Sequence, residues 1–204
     1  MRCRFWVKAA LQLFGSILLG VAVFSLMTQI QFDDVTLRGA FSQAAGFIMS
    51  FGAMVQVLFY MGVYRLSAPL VISFGSTRKE TFWGIQLLRL ILMVLCIGTY
   101  CLLAYLAGDP IRLGFAVGIF LIGGSLGSVL GILTSKFGKI VSIITMIVFV
   151  ICCGLIGAAS VIYSAASGFS LPWLSWVLPL AGIAVYLAVM IPEWKTIGRL
   201  VVKL

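Results

Sequence analysis

Residues able to do chemistry are scarce in this chain, and the densest group of them lies between two apolar runs. The 204 residues include no histidine and only five acidic side chains. Histidine-based triads and most zinc sites are thereby excluded. The group at 65–82, RLSAPLVISFGSTRKETF, is instead rich in hydroxyl and basic side chains. Such residues recognise partners by charge and hydrogen bonding, so we expect no enzyme active site, metal or cofactor in this chain.

The first half of the 65–82 segment predicts a short apolar helix. Pro69 follows Ser67 by two residues, which is typical of a helix start with Ser67 as the N-cap. Gly75 can end such a helix by adopting a left-handed conformation. We therefore expect a compact helical turn at this point, rather than an extended loop.

The second half of the segment predicts the start of a longer helix. Thr77 and Glu80 have the spacing of a capping box, so a helix should begin near Thr77 and continue into the next apolar run. Arg78 and Lys79 place positive charge in its first turn, where the helix dipole disfavours cations. This pair could contact lipid headgroups, or it could present charge to a partner protein, and the sequence leaves both interpretations open.

A few polar residues lie within or beside the apolar runs and could line a pathway. Arg89 lies about 18 Å along the helix that starts in the 65–82 segment, and it could extend back to the interface or face a cavity. Gln56 and Gln12 could line the same pathway, although hydrogen bonds between helices are their commoner use. Asp109 and Glu193 fall at the ends of apolar runs, which argues against a carrier driven by a proton or sodium gradient.

The elements that carry these residues are predicted to be transmembrane helices. Apolar residues make up 63% of the chain and charged residues 9%, whereas soluble domains contain about 25% charged residues. A helix needs about 20 apolar residues to cross the hydrocarbon core. We therefore predict an all-α, polytopic membrane protein with one transmembrane domain at 1–204 and six spans. The predicted spans are 9–31, 39–64, 83–108, 113–135, 140–163 and 173–191.

The basic residues predict the orientation of these spans. With both termini in the cytoplasm, all of the 14 Lys and Arg residues except Arg38 and Arg112 fall on the cytoplasmic side, as the positive-inside rule requires. The net charge of +9 then matches the anionic inner leaflet rather than nucleic acid. We expect a multi-pass protein of the bacterial cytoplasmic membrane.

Small residues on the fourth span predict close helix packing on two sides. Gly118 belongs to one small-residue pair, and Gly123, Gly127 and Gly131 form a second series on roughly the opposite face. Small residues let helix backbones approach closely within membranes. The fourth span should therefore pack against two neighbouring helices.

The sequence SFGSTRKETFWG at 73–84 resembles a loop of one transporter family. It is similar to the loop between the second and third spans in permease subunits of bacterial ATP-binding-cassette (ABC) transporters of the type-2, exporter-like group. The six-span layout and the basic tail at 194–204 are also similar. The resemblance implies that 65–82 is a cytoplasmic coupling loop that docks on a separate ATPase. The residues implicated in this contact are Gly75, Thr77, Arg78, Lys79, Glu80 and Phe82.

No phosphate-binding loop GxxxxGK[ST] occurs in the chain, so ATP and Mg²⁺ would be bound by the ATPase subunit. The expected partners are this ATPase, a second permease copy or a paralogue, and membrane lipids, with no nucleic acid. An alternative is a non-transporting accessory or immunity membrane protein that binds a peptide or lipid. A stand-alone carrier is a third interpretation.

Overall fold

The computed structural model describes residues 3–31, 36–73, 75–137, 144, 147 and 174–199. These residues are almost entirely helical, and none of them lies in a strand, which confirms the all-α class. The elements in chain order are α1 (Cys3–Gln31), α2 (Leu37–Gly62), a π-helical turn (Val63–Ser67), α3 (Ala68–Ser73), α4 (Arg78–Ala107), α5 (Leu113–Phe137) and α6 (Leu174–Arg199).

Five of the described helices are long and apolar enough to cross a membrane. The protein therefore has the elements of a multi-pass membrane protein, at positions close to five of the predicted spans. The remaining predicted span, 140–163, lies outside the described residues apart from 144 and 147, which are helical. The stretches that qualify are Arg4–Thr28, Leu37–Gly62, Arg78–Ala107, Leu113–Phe137 and Trp176–Gly198.

The first two helices run in opposite directions. Thr28 of α1 forms a hydrogen bond of 3.0 Å with Gln43 of α2, and Gly20 of α1 lies close to Phe51 of α2. Residue numbers therefore fall along α1 as they rise along α2. Helix α4 is likewise antiparallel to α2, since Gly52 lies beside Cys96 and Tyr60 lies beside Arg89. Helices α1 and α4 therefore share one direction.

Helices α2, α5 and α6 share the other direction. Gly123 faces Ala53 and Gly131 faces Tyr60, so α5 is parallel to α2. On the other side of α5, Gly118 contacts Leu178, and Arg89 bridges from Ser128 to Glu193 further along, so α6 is parallel to α5. Because α5 and α6 are parallel, α5 ends and α6 begins at opposite ends of the bundle. We call the end that carries α3, where α5 ends, the α3 end. The opposite end, where α6 begins, carries the 109–112 turn and is called the Asp109 end.

Glycines on two faces of α5 allow these close contacts. A Cβ atom at Gly127 would come within 2.7 Å of the Val57 carbonyl oxygen, and one at Gly118 would come within 2.8 Å of the Leu178 backbone. Side chains at either position would push the neighbouring helix away. The predicted packing of this span on two neighbours is thereby confirmed.

The chain does not break between α2 and α3. Ser67 was predicted to cap a new helix, but the chain stays helical through the π-helical turn, in which the Ala68 N–H donates to the Val63 carbonyl. Pro69 follows directly and has no N–H to donate, so the wider turn lies where a regular ladder would be interrupted. The prediction of a short helix is confirmed, whereas the predicted cap at Ser67 is wrong.

The junction between α3 and α4 follows the sequence prediction. Gly75 has a φ of 83°, the left-handed region that glycine adopts without steric cost. The Thr77 hydroxyl accepts from the Glu80 N–H, and the Glu80 carboxylate accepts from the Thr77 N–H at 3.0 Å. This capping box fixes the direction in which α4 leaves the turn.

Candidate functional site

An ion pair is buried between α4 and α6. Arg89 donates from Nη2 to the Glu193 Oε1 at 2.6 Å, and the two residues are 1% and 0% exposed. The second oxygen of Glu193 accepts from the Gln86 amide at 2.6 Å, and the Gln86 carbonyl oxygen accepts from the Tyr186 hydroxyl at 2.8 Å. Both carboxylate oxygens are therefore bonded, which offsets part of the desolvation cost of the charges.

The guanidinium of Arg89 also contacts α2 and α5. It donates to the Ser128 hydroxyl of α5. It lies 4.8 Å from the ring centroid of Tyr60 and 5.1 Å from that of Tyr186, within the range of cation–π attraction. One side chain thus touches three other helices. We call Gln56, Tyr60, Tyr64, Gln86, Arg89, Ser125, Ser128, Tyr186 and Glu193 the buried polar cluster.

Several groups of the buried polar cluster lack a hydrogen-bond partner among the described residues. Both amide atoms of Gln56, the Nε and Nη1 of Arg89, and the Ser125 hydroxyl are buried and unpaired. The hydroxyls of Tyr60 and Tyr64 make no hydrogen bond of good geometry either. Unpaired polar groups cost several kcal/mol each in an apolar medium, so this concentration of them singles out the cluster as the candidate site.

The structure brings two of the predicted pathway residues together and separates the third. Gln56 and Arg89 both border Gly124, where a Cβ would lie 3.3 Å from the Gln56 Oε1 and 3.4 Å from the Arg89 Cδ. Gln12 is exposed on α1 and is not part of the cluster. Arg89 is enclosed by helices, so its side chain does not extend to the surface.

Glu193 is the cluster residue that sequence reasoning missed. The last span was predicted to end at 191, which put Glu193 beyond it, but α6 continues to Arg199 and buries Glu193 completely. Its pairing with Arg89 provides the missing signal. Glu193 is an acidic residue near the end of one apolar helix, and it complements Arg89, a basic residue within another. The end of α6 and the start of α4 lie at the same end of the bundle.

The predicted coupling residues lie at the α3 end. Gly75, Thr77, Arg78, Lys79 and Glu80 are exposed. Phe82, by contrast, is 4% exposed, and its ring stacks edge-on against Trp194 with centroids 5.0 Å apart. The exposed residues form a surface, whereas Phe82 anchors the start of α4.

One face of α4 connects this surface to the buried polar cluster. Arg78 donates to the Gly198 carbonyl at 2.7 Å, and one turn further along Phe82 contacts Trp194. One turn beyond that, Gln86 bonds Glu193. Residues four apart lie on the same helix face, so α4 and α6 are joined at three successive levels.

A separate cavity of about 230 Å³ lies near the Asp109 end. It is lined by Ser42, Ala45, Gly46, Tyr100, Ala104, Asp109, Pro110 and Arg112. The Tyr100 hydroxyl accepts from the Arg112 N–H at 3.3 Å. None of the described residues form a group of three side chains suited to holding a metal ion.

The comparisons with known proteins give no relative for this chain. No family model matches it, and no similar chain was found among curated proteins or solved structures.

Proposed function

We propose that this protein is the membrane-spanning permease subunit of an ABC-type exporter. In this proposal the chain crosses the bacterial cytoplasmic membrane six times, with both termini in the cytoplasm. It pairs with a second permease copy or a paralogue, and a separate ATPase binds ATP and Mg²⁺. The 65–82 segment transmits movement of that ATPase to the spans.

The observation that carries this proposal is the ordered turn at the α3 end. Leu66 in the π-helical turn and Leu70 in α3 are exposed, at 63% and 55%, and Lys79 in the first turn of α4 is exposed as well. Exposed apolar side chains accompanied by polar ones mark contacts with proteins or membranes, and the proposal assigns this surface to a protein contact. The capping box at Thr77 keeps this surface in a fixed relation to α4.

The links between α4 and α6 give that surface a mechanical role. A displacement of α3 would act on the first turn of α4, where Arg78 holds the Gly198 carbonyl. It would then reach the ion pair of Arg89 and Glu193 along the same helix. Movement of packed helices by a docked partner is a known way of switching between conformational states.

The six-span topology is supported by the helix directions. Parallel helices α5 and α6 begin at the same end of the bundle, so the chain between them has to return from the α3 end to the Asp109 end. The predicted span at 140–163 would make that return, and it leaves α6 ending on the same side as the start of α1.

Charge reversal at Lys79 tests the coupling role. We expect Lys79→Glu to reduce recovery of the cytoplasmic ATPase when the permease is purified in mild detergent, and to reduce transport in the same proportion. Arg78→Glu with Lys79→Glu should abolish both. Since Arg78 also bonds α6, the single Lys79 variant separates docking from folding.

The matched control is Lys136→Glu, which changes an exposed lysine at the α3 end of α5 but outside the 65–82 segment. This variant should retain the ATPase. If the double reversal keeps both the ATPase and transport, the coupling assignment is wrong. If no ATPase accompanies the unmodified chain, the accessory or immunity function is favoured.

A second candidate function is a stand-alone carrier driven by a proton gradient. The buried carboxylate of Glu193 favours it, because ionisable groups inside membrane spans commonly serve proton relays. Vesicles containing this chain alone would then show flux that follows an imposed pH gradient. Glu193→Gln would abolish that flux, whereas an ABC permease would show none without its ATPase.

A further inference from the structure

We propose that the buried polar cluster binds an anionic oxygen group, a carboxylate or phosphate, at the Arg89 donors that have no partner among the described residues. The site lies between α2, α4 and α5, where a Cβ at Gly124 would lie 3.3 Å from the Gln56 Oε1 and 3.5 Å from the Arg89 Nε. The ligand is a solute or a lipid that carries such a group.

The unpaired atoms define the chemistry of the ligand. Arg89 Nε and Nη1 and the Gln56 Nε2 are donors, and among the unpaired cluster atoms only the Gln56 Oε1 is restricted to accepting. The hydroxyl of Ser125 can do either. Donors therefore exceed acceptors, and a ligand that offers several acceptor oxygens satisfies them better than one that brings its own donors.

Arg89 favours an anion over a neutral acceptor. Hydrogen bonds between a guanidinium and a carboxylate or phosphate are roughly twice as strong as those between neutral groups. The guanidinium uses Nη2 for Glu193 and Ser128. Among the described residues nothing bonds Nε or Nη1, and each of these donors, on its own edge of the guanidinium, can bond a ligand oxygen. Burial strengthens each of these contacts, because there is little competing water.

Glu193 acts as a competitor for Arg89 in this arrangement. The ion pair is neutral as a whole, so an added anion shares Arg89 with a carboxylate already in place. Removing the charge of Glu193 should therefore tighten anion binding. This expectation separates a ligand site from a purely structural ion pair, in which either substitution would only weaken the protein.

Trifluoroacetate is a suitable probe, because fluorine NMR detects its binding even at millimolar affinity. The full chain in dodecyl maltoside micelles, which contain no phosphate, should broaden the trifluoroacetate signal in a saturable manner. Trifluoroacetamide, its neutral counterpart, should bind at least tenfold more weakly. Equal binding of the two probes, or no saturable binding of trifluoroacetate, would overturn the proposal.

Two substitutions should move the affinity in opposite directions. Arg89→Gln should lower it at least tenfold, and Glu193→Gln should raise it several-fold. Arg38→Gln, at the Asp109 end, is the matched control and should leave it unchanged. If Arg89→Gln does not fold, Glu193→Gln alone still tests the proposal. Trifluoroacetate binding that is unchanged or weaker in Glu193→Gln contradicts it.

The surrounding amphiphile distinguishes the two sources of the anion. If a lipid phosphate occupies the site, phosphatidylglycerol nanodiscs should abolish the trifluoroacetate binding that phosphate-free dodecyl maltoside micelles support. If the natural ligand is a free solute, both preparations should support it. These measurements need no ATPase subunit, so they test the anion site independently of the proposed exporter function.

Discussion

Arg89 of α4 makes polar contacts with three other helices. Its guanidinium bonds Glu193 and Ser128 and stacks on Tyr60. A charge enclosed in this way is stable only while its partner is present, because an unpaired ion in an apolar interior costs several kcal/mol. The pair therefore couples the stability of α4 to the correct placement of α6.

Removing one member of the pair should destabilise the protein much more than removing both. We expect Arg89→Met or Glu193→Met alone to cost about 3–5 kcal/mol, since each leaves a buried unpaired charge. The double variant should cost clearly less than the sum. Denaturant unfolding in mixed micelles, arranged as a double-mutant cycle, measures this coupling. Additive effects would show that the two charges do not interact.

Some residue positions could be predicted from the sequence and others could not. Gly75 and the pair Thr77 and Glu80 carry short-range signals that act within a few residues, and the structure has both features. Glu193 carries no such signal, because its burial depends on a partner that is distant in the chain. Gln12 and Gln56 are both glutamines within apolar runs. Only the packing of their helices leaves Gln12 exposed and Gln56 buried.

The helices differ in what fixes their ends and their spacing. Helix α4 starts at a capping box and ends at Gly108, which has a φ of 71° and donates its N–H to the Ala104 and Tyr105 carbonyls. The Ala107 carbonyl accepts from Arg38. Helix α5 instead depends on glycines for its distance from α2 and α6. The first kind of feature is visible in the sequence, whereas the π-helical turn after α2 has no sequence signature and was not predicted.

A methyl group on the glycine face of α5 should separate α5 from α2. We expect Gly127→Ala to destabilise the protein by about 1–3 kcal/mol, the usual cost of overpacking, because its Cβ would meet the Val57 backbone. Gly98→Ala in α4 is the control, since nothing lies near its Cβ position, and it should be neutral or stabilising. Thermal unfolding of both variants in one detergent gives the comparison, and equal effects would contradict this account of α5.

The capping box should matter for the start of α4 more than for the bundle. Thr77→Ala removes an N-cap acceptor, which typically costs about 1 kcal/mol. We expect faster amide hydrogen exchange in the first turn of α4 and little change beyond Phe82, where the contact with Trp194 holds the helix. Ser73→Ala, at the end of α3, should leave exchange in α4 unaffected. Protection that is lost along the whole of α4 would show that the cap has a wider role.

For the whole molecule, helix direction determines which residues share a side of the membrane. The described helices place Lys79 and Lys136 at the α3 end and Arg112 at the Asp109 end. In a variant without the native cysteines, Lys79→Cys and Lys136→Cys should react with a membrane-impermeant thiol reagent from the cytoplasmic side only. Arg112→Cys should react from outside. Labelling of positions 79 and 112 from the same side would contradict the topology.

The pairing of Arg89 with Glu193 also constrains how the protein is made. The two residues are separated by 104 positions, so the ribosome delivers the arginine into the bilayer long before its counter-charge is synthesised. During that interval α4 carries an uncompensated cation. A chain released before α6 emerges would retain that defect, and quality-control proteases should remove it more rapidly than the finished protein.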